Sequence, residues 1–146
     1  RDRDVTGVQT CALPISEMLP ILSARNRTML SNIMTSVIFL RLTTSFSTIV
    51  LENVVYLELA RRGGEIYVGK VGDAEIDFVV IQGVRKSYYQ VSLSVRNEDT
   101  MKRELAPLQS IPDNYPKYLL TLDNDPQIFH DGIKQQYVLD WLRQKE

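Results

Sequence analysis

Gly64-Glu-Ile-Tyr-Val-Gly69-Lys70 carries the G-x4-G-K spacing of a loop that cradles phosphates with backbone N–H groups. Val71 stands where such a loop needs a hydroxyl for magnesium, the intervening EIYV is strand-like, and no helix pattern follows. The spacing is therefore coincidental. His130, the only histidine, lies in a polar stretch with no Cys, Ser or second His beside it, so it reads as a surface residue rather than a catalytic base or zinc ligand. Tyr88 and Tyr89 could stack nucleobases. Neighbouring residues of a strand face opposite sides, however, so at least one of the two belongs to the core. Gln90, Ser92 and Ser94 alternate with Tyr89, Val91 and Leu93, and Asp77 sits between Ile76 and Phe78. Alternation thus predicts one polar face on each strand, and the simplest structural role for Asp77 with Gln90 is a hydrogen-bonded pair at the edge of a sheet.

These side chains need a scaffold, and the periodicity supplies one. Residues 49–63 place Leu51, Val55 and Leu59 at helical spacing and end in Arg61-Arg62-Gly63-Gly64, a helix followed by its stop signal. Residues 65–70 and 75–81 are β-rich runs around a turn at Gly72, and Gly83 marks a second turn before an alternating run over 87–94. Asn97 followed by Glu98 and Asp99 predicts a capped second helix with Met101, Leu105 and Leu108 on its apolar stripe and Pro107 shortening or bending it. Residues 117–122 read as a buried strand, 123–132 as a polar connection, 133–139 as a last strand and 140–144 as a helical turn. The expected order is α-β-β-β-α-β-β with a C-terminal turn of helix.

The chain of 146 residues is 44% hydrophobic and 24% charged, with net charge −1, so size and composition suggest one globular domain. Its three parts differ sharply. Within residues 1–16, VTGVQTCALPI resembles the in-frame translation of a widely used short-read sequencing adapter, so this part is expected to be an unstructured artefact. It contains Cys11, the only cysteine, so no internal disulfide or Cys-based metal site can form. A reducing, cytoplasmic setting fits. Residues 17–48 are compositionally odd: 18–50 hold no Asp, Glu, Lys, Gly, Tyr or Trp. This part is either a short apolar helix or strand pair or an out-of-frame translation. Its apolar block falls short of the ~18 residues that would suggest a spanning helix, so no membrane association is expected. Residues 49–146 form the domain proper. From Leu51 onward there are 12 Lys/Arg against 15 Asp/Glu, a charge of −3 that argues against a strongly basic nucleic-acid surface.

The ordered segments LENVVYLEL, RRGGEIYVGK, EIDFVV, YYQVS, RELAPLQSIPDNYPKYLLTLD and the GIK…VLDWL ending together resemble the C-terminal domain of unknown function of prokaryotic AAA-type ATP-binding proteins, a PD-(D/E)XK nuclease-like domain. The resemblance covers residues 51–142. It implies an α+β fold with a mixed sheet, and a longer parent protein whose ATPase module, absent from this chain, would be the only place for ATP. In the fold's pattern a Glu on the first helix precedes an Asp on the second strand and a Glu-x-Lys on the third. The carboxylates hold a hard divalent ion, and the lysine steadies the attacking water and the developing charge. Here the resemblance puts Glu52 and Asp77 at the acidic positions, Gln90 at the second Glu and Ser92 at the lysine, with Asp77 as the candidate metal ligand. The site is expected to be degenerate, because losing one preorganised electrostatic group costs roughly 100- to 1,000-fold in rate. The implied function is a non-catalytic accessory domain that binds or regulates, with its own ATPase module and nucleic acid or another protein as partners and no cofactor of its own. Two alternatives stay open: a magnesium-dependent nuclease rescued by a relocated lysine, Lys86 or Lys102, and a structural module packed on its own ATPase.

Overall fold

In this computed structural model, residues 9–10 and 44–144 are described. They comprise β1 (Gln9–Thr10), α1 (Thr44–Arg62), β2 (Glu65–Val71), β3 (Ala74–Gln82), β4 (Arg85–Ser92), α2 (Glu98–Gln109), β5 (Lys117–Thr121), β6 (Ile128–His130), β7 (Ile133–Tyr137) and α3 (Val138–Arg143). The strands form one mixed sheet in the order β1-β2-β3-β4-β5-β7-β6. β2, β3 and β4 are an antiparallel meander, β4, β5 and β7 run parallel, and β6 returns antiparallel on β7. The parallel step from β4 to β5 needs a crossover, which α2 supplies.

Each face of the sheet buries its own apolar cluster. On one face Leu51, Val55 and Leu59 of α1 and Trp141 of α3 meet Phe78, Val80, Tyr89, Val91 and Leu120. On the other, Leu105 and Leu108 of α2 meet Ile76, Val79, Tyr88, Leu119 and Ile133. Tyr88 and Tyr89 accordingly lie in opposite clusters, and both are buried. With helices on both faces, the parallel strands have no wet side, which is what lets β5 read as a continuous apolar run.

The expected elements recur with four differences. α1 begins at Thr44, ahead of the boundary placed at residue 49. Pro107 does not end α2, which continues to Gln109: the ring is buried, and the last turn is closed by Ser110, whose N–H donates to Ala106 O at 3.1 Å and whose hydroxyl donates to Pro107 O at 2.7 Å. The connection over 123–132 contains β6, turned onto β7 by Asp131 and Gly132, whose φ angles of 48° and 85° are those a two-residue hairpin loop requires. The last strand stops at Tyr137, and Val138 and Leu139 already belong to α3. Gln9 and Thr10 pair with Lys70 and Gly69 on the outer edge of β2. Open strand edges accept almost any extended backbone. The other residues of the first two segments, up to residue 43, lie outside the described residues.

The N-cap of α2 forms as the sequence predicts. Asn97 Oδ1 accepts from Asp99 N at 3.0 Å and from Thr100 N at 3.1 Å. Asn97→Ala should lower stability by about 1 kcal/mol, read as a lower denaturant midpoint with an unchanged slope.

Candidate functional site

The meander is regular until the middle of β3 and then breaks. Tyr67 pairs with Val79 but Gly69 pairs with Ile76, so Asp77 and Phe78 together oppose the single residue Val68. This β-bulge inserts one extra residue and re-aims the side chains that follow it. Ile76 therefore packs in the cluster under α2 while Phe78 packs in the cluster under α1. Simple alternation, which puts those two on one face, fails here for that reason. Gly69 is what makes the bulge possible: a Cβ there would meet Val79 Cγ2 at 2.7 Å and Ile76 Cβ at 3.1 Å. Its place in the G-x4-G-K spacing thus has a packing explanation.

At the bulge β4 loses β3 from one edge and keeps β5 on the other. Its pairing with β3 ends at Phe78 and Tyr89, while its pairing with β5 continues through Gln90, Val91 and Ser92. The fork leaves the N–H of Val91 without a strand acceptor, and Asp77 Oδ2 accepts it at 2.7 Å. Asp77 is thereby fixed at the point where the two strands part. A cleft of about 280 Å³ opens beside it, lined by Glu52, Asn53 and Tyr56 of α1 and by Glu75, Asp77 and Phe78 of β3.

The fold brings Glu52 and Asp77 together and adds two carboxylates that no motif singled out. Burial pushes Asp77 up to about 7, with the charges of Glu52, Glu104 and Glu75 adding to the rise and the bond from Val91 N–H opposing it. Burial also raises Glu52, and Glu104 contributes. Glu104, from α2, accepts Gln90 Nε2 on Oε2 at 3.2 Å and the exposed Arg103 Nη2 on Oε1 at 2.9 Å. Gln90 is thus linked to the carboxylate group through Glu104, and the expected Asp77–Gln90 hydrogen bond is not among the contacts made. The Oε1 atom of Gln90 is buried without a partner among the described residues. Ser92, also buried, donates its hydroxyl to Ser94 O at 3.4 Å.

Neither lysine considered for rescue faces the cleft. Lys86 is buried with its Nζ 3.3 Å from Asp113 Oδ2, in ion-pair range though at a poor hydrogen-bond angle, and close to the rings of Tyr88 and Tyr115. Asp113 also accepts Tyr88 Oη at 2.5 Å. Burial first, and then that bond, push the phenol far above its usual range. Lys102 is on the surface, 3.8 Å from Glu98. Among the described residues no cation pairs with Glu52, Glu75 or Asp77, and no three His, Cys, Asp or Glu side chains are placed to hold a metal ion. His130 is part-buried rather than fully on the surface, with Nε2 2.8 Å from Gln135 Oε1.

No known protein family is matched by the chain, and no solved structure matches it. A protein of Haemophilus influenzae, itself uncharacterized, is 43% identical over 94 residues, which are 64% of this chain and 23% of that protein. The chain thus spans less than a quarter of that curated relative's length. Among the described residues no helix is long and apolar enough to cross a membrane.

Proposed function

We propose that the folded unit is a non-catalytic accessory domain, binding or regulatory, of a longer cytoplasmic AAA-type ATP-binding protein, and that its cleft is a degenerate PD-(D/E)XK nuclease-like site. The observation that carries this reading is that, among the described residues, no cation is ion-paired with Glu52, Glu75 or Asp77: Ser92 stands where the fold's pattern has its lysine, and Lys86 and Lys102 are engaged elsewhere. Phosphodiester cleavage develops negative charge that must be met by a cation or a metal at the site. Three carboxylates, Glu52, Glu75 and Glu104, around Asp77 oppose that charge instead. The order helix, three-strand meander, helix and parallel strand supports the nuclease-like assignment. The placement of Asp77 at the fork between β3 and β4 supports it too. The low coverage of the Haemophilus influenzae protein is consistent with a unit that works within a longer chain.

The test is a magnesium- or manganese-dependent cleavage assay on single- and double-stranded DNA, with Asp77→Ala as the control. No cleavage above the Asp77→Ala background is expected. Turnover that this substitution abolishes would overturn the non-catalytic reading and favour the relocated-lysine nuclease.

A further inference from the structure

Lys86 is a buried cation that takes no part in the cleft. It is 8% exposed, and its Nζ makes no hydrogen bond among the described residues. Instead the ammonium lies 5.2 Å from the ring of Tyr88 and 5.1 Å from the ring of Tyr115, with Asp113 Oδ2 at 3.3 Å as its counter-charge. Asp113 and Tyr115 both belong to the strap 111–116 that links α2 to β5. The strap therefore supplies the charge that matches Lys86 and one of the rings that shut it off from water.

The strap has the features of a segment that moves as one piece. Pro112 and Pro116 fix φ near its two ends and have no N–H to bond elsewhere. Lys117 Nζ donates to Ile111 O at 2.8 Å, which ties those ends to each other. Ile111 is anchored in the cluster under α2, whereas Pro112, Asn114, Tyr115 and Pro116 are exposed. Among the described residues the hydrogen bonds from this span to the sheet both come from Tyr88: its Oη donates to Asp113 Oδ2 at 2.5 Å and its N–H to Pro116 O at 3.0 Å. Few buried apolar contacts and few bonds to a single residue characterise segments that open locally, ahead of global unfolding. We propose that the strap 111–116 is a lid that opens as a unit on the folded domain, with Asp113 as its latch, and that opening uncovers Lys86 and the Tyr88 hydroxyl. Closed, the charge of Lys86 is matched and hidden; open, it faces water. The lid thus switches the charge that this face of the domain presents, and it does so whatever the cleft beside Asp77 binds.

Tyr88 N–H is the reporter, because its acceptor belongs to the lid. Hydrogen–deuterium exchange of the full chain, followed by NMR at several low denaturant concentrations, compares it with the amides of the β3–β4 ladder. Tyr88 N–H should exchange at least tenfold faster than the most protected ladder amides and respond little to denaturant, as a local opening does. Tyr88→Phe keeps the buried ring and removes only the hydroxyl bonded to Asp113, so it should fold and speed exchange at residue 88 by about tenfold, the effect typical of a hydrogen bond to a charged group. Asp113→Asn should act in the same direction; if it does not fold, Tyr88→Phe alone decides. Val55→Ala, in the cluster on the opposite face of the sheet, should speed the ladder amides and leave residue 88 unchanged. Exchange at residue 88 that matches the ladder amides and is speeded equally by Val55→Ala would mean that the strap opens only when the whole domain unfolds, which overturns the proposal. Exchange at residue 88 that is indifferent to Tyr88→Phe removes Asp113 as the latch and overturns it too.

Discussion

Glu58→Ala is expected to lower the stability of the folded unit by about 3–5 kcal/mol, the range found when one member of a buried ion pair is removed. Glu58 sits on the buried side of α1, and its carboxylate is almost wholly enclosed. Its Oε1 accepts Arg62 Nε at 2.9 Å, and its two oxygens accept Arg61 Nη2 and Nε at 2.6 and 2.7 Å. Exposure separates the two arginines: the Arg61 side chain is 53% exposed and Arg62 only 7%. The Arg61 contact is screened and worth at most about 1 kcal/mol, so the loss is concentrated at Arg62.

Arg62 also donates to Trp141 O at 2.7 Å and lies 4.2 Å over the indole ring. It is the bolt between α1 and α3, and Trp141 packs from there onto Tyr89 in the sheet. Removing Glu58 takes away the carboxylate to which the buried Arg62 Nε donates. Burial alone would raise the Glu58 carboxyl, but the bonds from Arg61 and Arg62 outweigh it and hold the group below its usual value. A lowered folded-state value means that the stabilisation is fully present above the unfolded value of 4.5 and is lost as pH falls through the folded one. The gap between wild type and Glu58→Ala should therefore be widest near neutral pH and close in acid. Equilibrium urea unfolding at pH 7 and at pH 3 measures both points, and an unchanged gap would refute the ion-pair account.

The meander was legible because its signals are local. Gly72 and Gly83 have φ angles of 59° and 63° at two turns, and the runs between them are rich in β-branched and aromatic residues. The cap at Asn97 and the opposite placement of Tyr88 and Tyr89 follow from rules of one or two residues. What escaped depends on contacts between segments. The bulge at Asp77 is a mismatch of register between β2 and β3, visible only once both strands are laid side by side. Glu104 joins the site across the fork of the sheet, and on α2 it is merely another charge near Arg103. Asp123 fixes the exit of β4 by accepting Ser94 Oγ at 2.9 Å and Val95 N at 2.8 Å, from 29 and 28 residues away. Two misses did leave local traces: Asp131-Gly132 is a two-residue hairpin signal for β6 and β7, and Glu58 stands three and four residues before Arg61 and Arg62, at ion-pair spacing on a helix.

Asp77→Asn should have the opposite effect to Glu58→Ala and stabilise the protein at neutral and alkaline pH. Asp77 enters the unfolded chain with a value of 3.8 and is pushed up to about 7 in the fold, by burial first and by the neighbouring carboxylates next. Between those limits the native state holds a proton that the unfolded state has released. The unfolding free energy contributed by this group therefore falls as pH rises from about 4 to about 7 and is flat beyond. At ~1.4 kcal/mol per unit the penalty reaches at most about 4 kcal/mol. Asparagine keeps an oxygen that can accept Val91 N–H but carries no charge, so the variant lacks this slope. It should match wild type near pH 4, gain steadily toward pH 7 and hold that gain beyond, as read by denaturant unfolding from pH 4 to pH 8. Parallel pH curves for the two proteins would show that Asp77 is not the strained group.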